Sequence, residues 1–168
     1  PTNAPGAGPT AMPTMGSGQM GSGTPLFQID AEREADLIAQ VEADPTDLDA
    51  MRELAAVYFE GGDWPKATTW LIRVVEGDPS DVDSRLMLGV THFNVGSVAQ
   101  AEVQWKKVTE IAPDLPEAYY NLGFIYLSET PPDLEAATEV WNKVLELDPE
   151  SPLAATVRAH LDGMTSGG

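Results

Sequence analysis

The chain has no cysteine, so it offers no disulfide framework, no thiolate metal ligand and no thiol nucleophile. Redox chemistry therefore leaves the compartment open between cytoplasm and periplasm. No apolar run is long enough to cross a bilayer. Only two histidines occur, His92 and His160, and there is neither a G-x-S-x-G elbow nor a phosphate-binding glycine loop. No set of nucleophile, base and orienting group can be assembled from these, so neither enzymatic activity nor a cofactor is expected. A basic stretch followed by an apolar one is also missing at the start, which is Pro1 rather than Met. The expectation is a start cut by processing or by design, with room for a membrane-tethering segment upstream of Pro1. Cations are scarce as well. Nine basic residues face 27 acidic ones for a formal net charge of -18. Such a field repels nucleic-acid backbones and anionic lipid headgroups, draws basic peptides, and also keeps a domain soluble.

All of that charge lies between Asp30 and Asp162. Residues 1–29 carry none, consist mainly of Gly, Pro, Ser, Thr, Ala and Met, and show no period of 2 or 3.6, which reads as a flexible linker or tail. Its apolar members, Met12, Met15, Met20 and Leu26-Phe27-Gln28-Ile29, are candidates for docking back onto the domain. Ordering so Gly-rich a chain carries a large entropic cost.

What the rest of the chain has is a period. Pro45, Pro79, Pro113 and Pro149 are spaced by 34, 34 and 36 residues, and each closes a helical stretch whose apolar pattern then restarts. Aligned on these prolines, Met51, Leu54-Ala55, Tyr58, Ala67 and Leu71 match Arg85, Leu88-Gly89, His92, Ala101 and Trp105. They match in turn Tyr119, Leu122-Gly123, Tyr126, Ala137 and Trp141, with two extra residues near Thr130-Pro131-Pro132. Units that cannot bury an apolar face alone stack on copies of themselves. The pattern W-x2-L-G-x2-Y, A-x3-F and a closing P resembles the tetratricopeptide repeat family, in its bacterial type, over residues 48 to about 150.

The resemblance implies an all-α, right-handed α-solenoid of three helix-turn-helix repeats. The expected organisation is an N-terminal capping helix over 30–44, repeats over 48–81, 82–115 and 116–151, a C-terminal capping helix over 151–162, and a tail over 164–168. The paired helices are expected at 47–60 and 64–77, 81–94 and 98–111, 115–128 and 133–147. Leu37, Ile38 and Val41 give the first cap its apolar stripe, while Leu153, Val157 and Leu161 serve the last, with Gly163 as its stop. Small residues opposite bulky ones, as in Gly89 and Ala101 beside Trp105, read as crossing points of paired helices.

Two acidic segments, Asp44-Pro-Thr-Asp47-Leu-Asp49 and Asp78-Pro-Ser-Asp81-Val-Asp83, have the look of calcium loops. They lack the Gly at the sixth position and the Glu at the twelfth, and acids at a helix start are what capping demands, so no metal site is expected. His92 stands at a tyrosine position of the repeat and reads as a packing residue; His160 reads as lying on the exposed side of the last helix. The core does not need a second stripe on each first helix: Arg52, Ala56 and Phe59; Leu86, Val90 and Phe93; Tyr120, Phe124 and Leu127. A helix apolar on two faces buries both or presents one to a partner. In the tetratricopeptide family these offsets line a concave peptide-binding groove, here rimmed by Asp49, Asp83 and Glu117. Family members that grip a carboxylate use Lys, Asn and Arg there. This stripe has only Arg52, so the expected ligand is an apolar peptide or helix with basic flanks. The rival expectations are a membrane-tethered periplasmic module holding client segments, similar to the tetratricopeptide parts of cytochrome c maturation factors, and a self-assembling adaptor that forms homo-oligomers.

Overall fold

The structure, a computed structural model, describes residues 29–166. Among them are eight helices and no strand: α1 (Ala31–Ala43), α2 (Leu48–Glu60), α3 (Trp64–Gly77), α4 (Val82–Asn94), α5 (Val98–Ile111), α6 (Pro116–Ser128), α7 (Leu134–Leu147) and α8 (Pro152–Ser166). No helix among them is long and apolar enough to cross a membrane. The helices pair as α2 with α3, α4 with α5 and α6 with α7, and the pairs stack through α3 on α4 and α5 on α6. Helix α1 closes one end against α2, and α8 the other against α7. The result is an α-solenoid with capped ends.

Its punctuation is local chemistry repeated. Between units, each proline sits at the second position of a turn closed by the residue before it: Asp47 N–H donates to the Asp44 carbonyl at 3.1 Å, and Asp81 N–H to Asp78 at 3.2 Å. Leu115 to Ala112 (3.1 Å) and Ser151 to Asp148 (3.3 Å) repeat it. Proline suits that position because its ring presets φ and its missing N–H is not needed there. In the first two of these turns the aspartate also accepts from the next Thr or Ser, Thr46 Oγ1 and Ser80 Oγ both at 2.7 Å. Those hydrogen bonds hold the Asp44 and Asp78 carboxyls below the usual carboxylate range. Aspartates then cap five helices, Asp30, Asp47, Asp63, Asp81 and Asp133 each accepting first-turn N–H groups. The acidic segments with the look of calcium loops are thus turns and caps.

Within the first two pairs the connection is three residues long and hinges on Gly62 (φ 71°) and Gly96 (φ 79°). Asp63 N–H donates to the Tyr58 carbonyl at 2.9 Å and Ser97 N–H to His92 at 2.8 Å, a helix stop that requires the left-handed conformation glycine adopts without strain. The third pair has no such glycine and uses the longer Glu129–Asp133 connection.

The core runs along the seam of each pair. Ala67, Ala101 and Ala137 are fully buried, as are Trp105 and Trp141. A Cβ placed on Gly89 would lie 2.2 Å from Trp105 Nε1, and one on Gly123 only 2.1 Å from Trp141 Nε1. The indole therefore occupies the space the glycine leaves. Its N–H donates to a carbonyl of the crossing helix, Trp105 to Leu86 at 3.2 Å and Trp141 to Tyr120 at 2.9 Å. A buried ring of that size needs such an acceptor.

Two expectations are corrected at the C-terminal end. Helix α8 does not stop at Gly163 but continues through it, since that glycine does not take the left-handed conformation by which Gly62 and Gly96 end their helices. His160 is half-buried rather than exposed. It stacks on Trp141 with centroids 5.0 Å apart and meets the edge of Phe124 at 5.5 Å. Docking of Leu26-Phe27-Gln28, and of the methionines before them, lies outside the described residues. Ile29 packs on Gly61 at the α2–α3 connection.

Candidate functional site

The first helices α2, α4 and α6 share one face of the solenoid, and a small cleft opens across them. Its walls are Phe59 from α2 and Leu86, Met87 and Val90 from α4; Glu117 and Asn121 from α6 complete it, around a cavity of about 30 Å³. It brings together Phe59, Leu86 and Val90 from the apolar stripe and Glu117 from the acidic rim. Four of the six lining residues are apolar and the other two are a carboxylate and an amide.

The remaining stripe residues do other things. Tyr120 is buried, in contrast to the expected groove position, because α8 folds His160 across it at a ring distance of 6.2 Å. Burial pushes the Tyr120 phenol above its ordinary pKa. Phe124 packs edge-on against both Tyr120 (5.1 Å) and Trp141 (5.5 Å), and Leu127 joins the same cluster. Phe93 is half-buried against Trp105 at 5.9 Å. Leu86 is itself 93% buried and contributes a wall rather than a free surface. Phe59 meets Trp64 edge to face at 5.4 Å, and Ala56 is half-buried.

Arg52 does not stand free on this face. It donates to Asp81, the N-cap of α4, and to Asp49 one turn back on α2. The Asp81 hydrogen bond, with the charge of both carboxylates, holds the guanidinium firmly protonated. This links two repeats and consumes the stripe's one cation together with one rim acid. Asp83 is exposed. His92 is partly buried, and burial pushes its pKa below the ordinary histidine value. No group of three or more potential metal ligands clusters among the described residues.

Alignment by repeat register missed Met87 and Asn121, which occupy the positions just before Leu88-Gly89 and Leu122-Gly123. The available signal was Asn121, an amide in the otherwise apolar and aromatic run from Ala118 to Leu127.

No protein-family model and no curated protein sequence matches the chain. Solved structures do. YrrB, described as a tetratricopeptide repeat protein with an unusual peptide-binding site, superposes with a TM-score of 0.68 at 25% identity, over 75% of this chain and 64% of that one. MamA gives 0.66 at 22% identity over 69% and 67%. The first repeat domain of Spaghetti (RPAP3), bound to the HSP90 peptide SRMEEVD, gives 0.62 at 20% over 73% and 96%. The matched region spans about two thirds of the length of the MamA and YrrB chains. Periodic prolines, glycine-tryptophan crossings and these superpositions agree, and the chain has a helical repeat fold of the tetratricopeptide type.

Proposed function

We propose that the chain is a protein-interaction scaffold whose α2–α4–α6 face binds a peptide or helix that is apolar with basic flanks. The observation that carries this reading is the cleft, where Phe59, Leu86, Met87 and Val90 form an apolar wall beside Glu117 and Asn121. The YrrB description names a peptide-binding site, and the Spaghetti domain is bound to a peptide, which supports a polypeptide ligand on this fold. The charge favours a different ligand from SRMEEVD. With Arg52 already held by Asp49 and Asp81, nothing in the cleft offers a cation to an acidic peptide, whereas its carboxylate suits a basic one.

Peptides selected from a displayed random library on the full chain provide the probe. The variant Val90→Asn, which puts a polar amide inside the cleft, should weaken the selected peptides by about thirty-fold or more, the level of an interface hot spot. The variant Val103→Asn, at a residue of α5 that is 62% exposed, should not weaken them. The opposite ranking would move the binding face to the second helices.

A further inference from the structure

Two polar groups in the cleft have no partner. Oε2 of Glu117 is buried and accepts no hydrogen bond, and no lysine or arginine among the described residues pairs with this carboxylate. Asn121 is 93% buried as a residue and lines the same cleft; its amide makes no hydrogen bond within the protein but, unlike Glu117 Oε2, is not cut off from water. Buried acceptors without partners are costly, and most in folded proteins are satisfied. Glu117 lies in the first turn of α6, where the helix dipole offsets part of that cost. The dipole supplies no donor to Oε2, and it does nothing for Asn121 in the second turn. The other walls of the cleft are Phe59, Leu86, Met87 and Val90, which offer contact to methylenes and no hydrogen bond.

We infer that this cleft is a pocket for one lysine side chain of the bound polypeptide. The inference rests on the groove reading above and names what the groove selects. The methylene stem lies along Phe59, Leu86 and Val90, and the ammonium reaches Glu117 Oε2 and the Asn121 amide oxygen. Size separates lysine from arginine. A cavity of about 30 Å³ seats a compact ammonium at its closed end, with the stem across its mouth, and leaves too little room for a planar guanidinium with its five-donor fork. Charge points the same way. The chain carries a formal -18, and the nearest stripe cation, Arg52, is already occupied by Asp49 and Asp81.

The test uses a library-selected peptide, synthesised with its lysine intact, replaced by norleucine, or replaced by arginine, and titrated against the full chain. On the parent the lysine form should bind about ten-fold more tightly than the norleucine form, the size of one charge-assisted hydrogen bond, and the arginine form should fall to the norleucine level. Glu117→Gln, which keeps the shape and removes the charge, should erase the gap between lysine and norleucine. Selected peptides without a fixed lysine, equal binding of lysine and norleucine forms, or a gap that survives Glu117→Gln would each overturn the pocket. An arginine form as tight as lysine would overturn the size argument and with it the lysine assignment. Val90→Asn separates the two levels: if it still weakens the peptides after the pocket has failed, the groove stands, and if it does not, both fall.

Discussion

Repeat 1 crosses its helices through Ala55 and Leu71, whereas repeats 2 and 3 use Gly89 with Trp105 and Gly123 with Trp141. The exchange is a matched one. One carbon more on the first helix goes with a smaller side chain on the second, and every crossing is filled. The contrast extends to the α2–α4–α6 face. In repeat 1 the position that is Leu86 and Tyr120 elsewhere is Arg52, tied to Asp49 and Asp81, so the array begins with an ion-paired seam and becomes apolar farther along. The indole N–H bonds to Leu86 and Tyr120 have no counterpart at Arg52, because Leu71 has no donor. Trp105 and Trp141 thus serve twice, filling the crossing and pinning the helix that carries the cleft.

The largest expected effect comes from forcing repeat 3 toward repeat 1 by halves. Gly123→Ala puts a methyl 2.1 Å from the Nε1 of a fully buried, rigid indole, and neither ring nor backbone can yield freely. It should destabilise the protein by about 3 kcal/mol, the upper range for overpacking. Trp141→Leu alone leaves a cavity and deprives the Tyr120 carbonyl of the indole N–H it accepts from, and should also cost about 2–4 kcal/mol. Together they recreate the Ala55–Leu71 pair, so the double variant should lose at least about 1 kcal/mol less than the sum. Urea titrations of the four proteins give the coupling. Additive losses would mean that the two positions do not share the space assigned to them.

The reverse half-exchange should be gentler. Ala55→Gly opens the crossing above Leu71 without creating a clash, so its cost is helix propensity plus a small void, about 1–2 kcal/mol. Adding Leu71→Trp to it should recover stability relative to Leu71→Trp alone, which has no room for the ring beside Ala55. If Leu71→Trp were tolerated equally well with and without the Ala55→Gly change, a volume match would not explain the difference between the repeats.

Much of this was legible in the sequence because it is encoded locally. The proline period marks turns whose bonds involve only neighbouring residues, and the small-large pairs mark crossings between adjacent helices, so α2 to α7 lie within a residue or so of where the register puts them. What the sequence hid depends on elements with no motif of their own. Tyr120 and Phe124 look like surface in the repeat alignment, and they are covered because α8 brings His160 against them. Arg52 looks like a free cation, and its two partners are a cap on another helix and a residue one turn away. Asn121 and Met87 sit beside core positions in the sequence, and only the approach of α4 to α6 turns them into a cleft.

The smallest expected effect concerns the position where repeat 2 has His92 and its neighbours have Tyr58 and Tyr126. Tyr58 donates to Glu34 at 2.6 Å and locks the first cap to repeat 1, whereas His92 is only partly covered, and burial lowers its pKa. In the folded protein His92 therefore holds its proton less well than in the unfolded chain. As pH falls through the unfolded histidine value of about 6.5, the unfolded state gains the proton first, and the stability present above that pH is progressively lost down through the folded value. His92→Tyr restores the residue type of the other repeats and cannot take up that proton. Thermal melts of parent and variant at about pH 7.5 and about pH 5, on either side of the histidine range, should show the parent losing more on acidification, with the many carboxylates cancelling in the comparison. The extra loss should be small because much of the ring still meets water. A difference between the two proteins that stays constant with pH would mean that His92 is solvated equally in both states, and that its place in the repeat is one of shape alone.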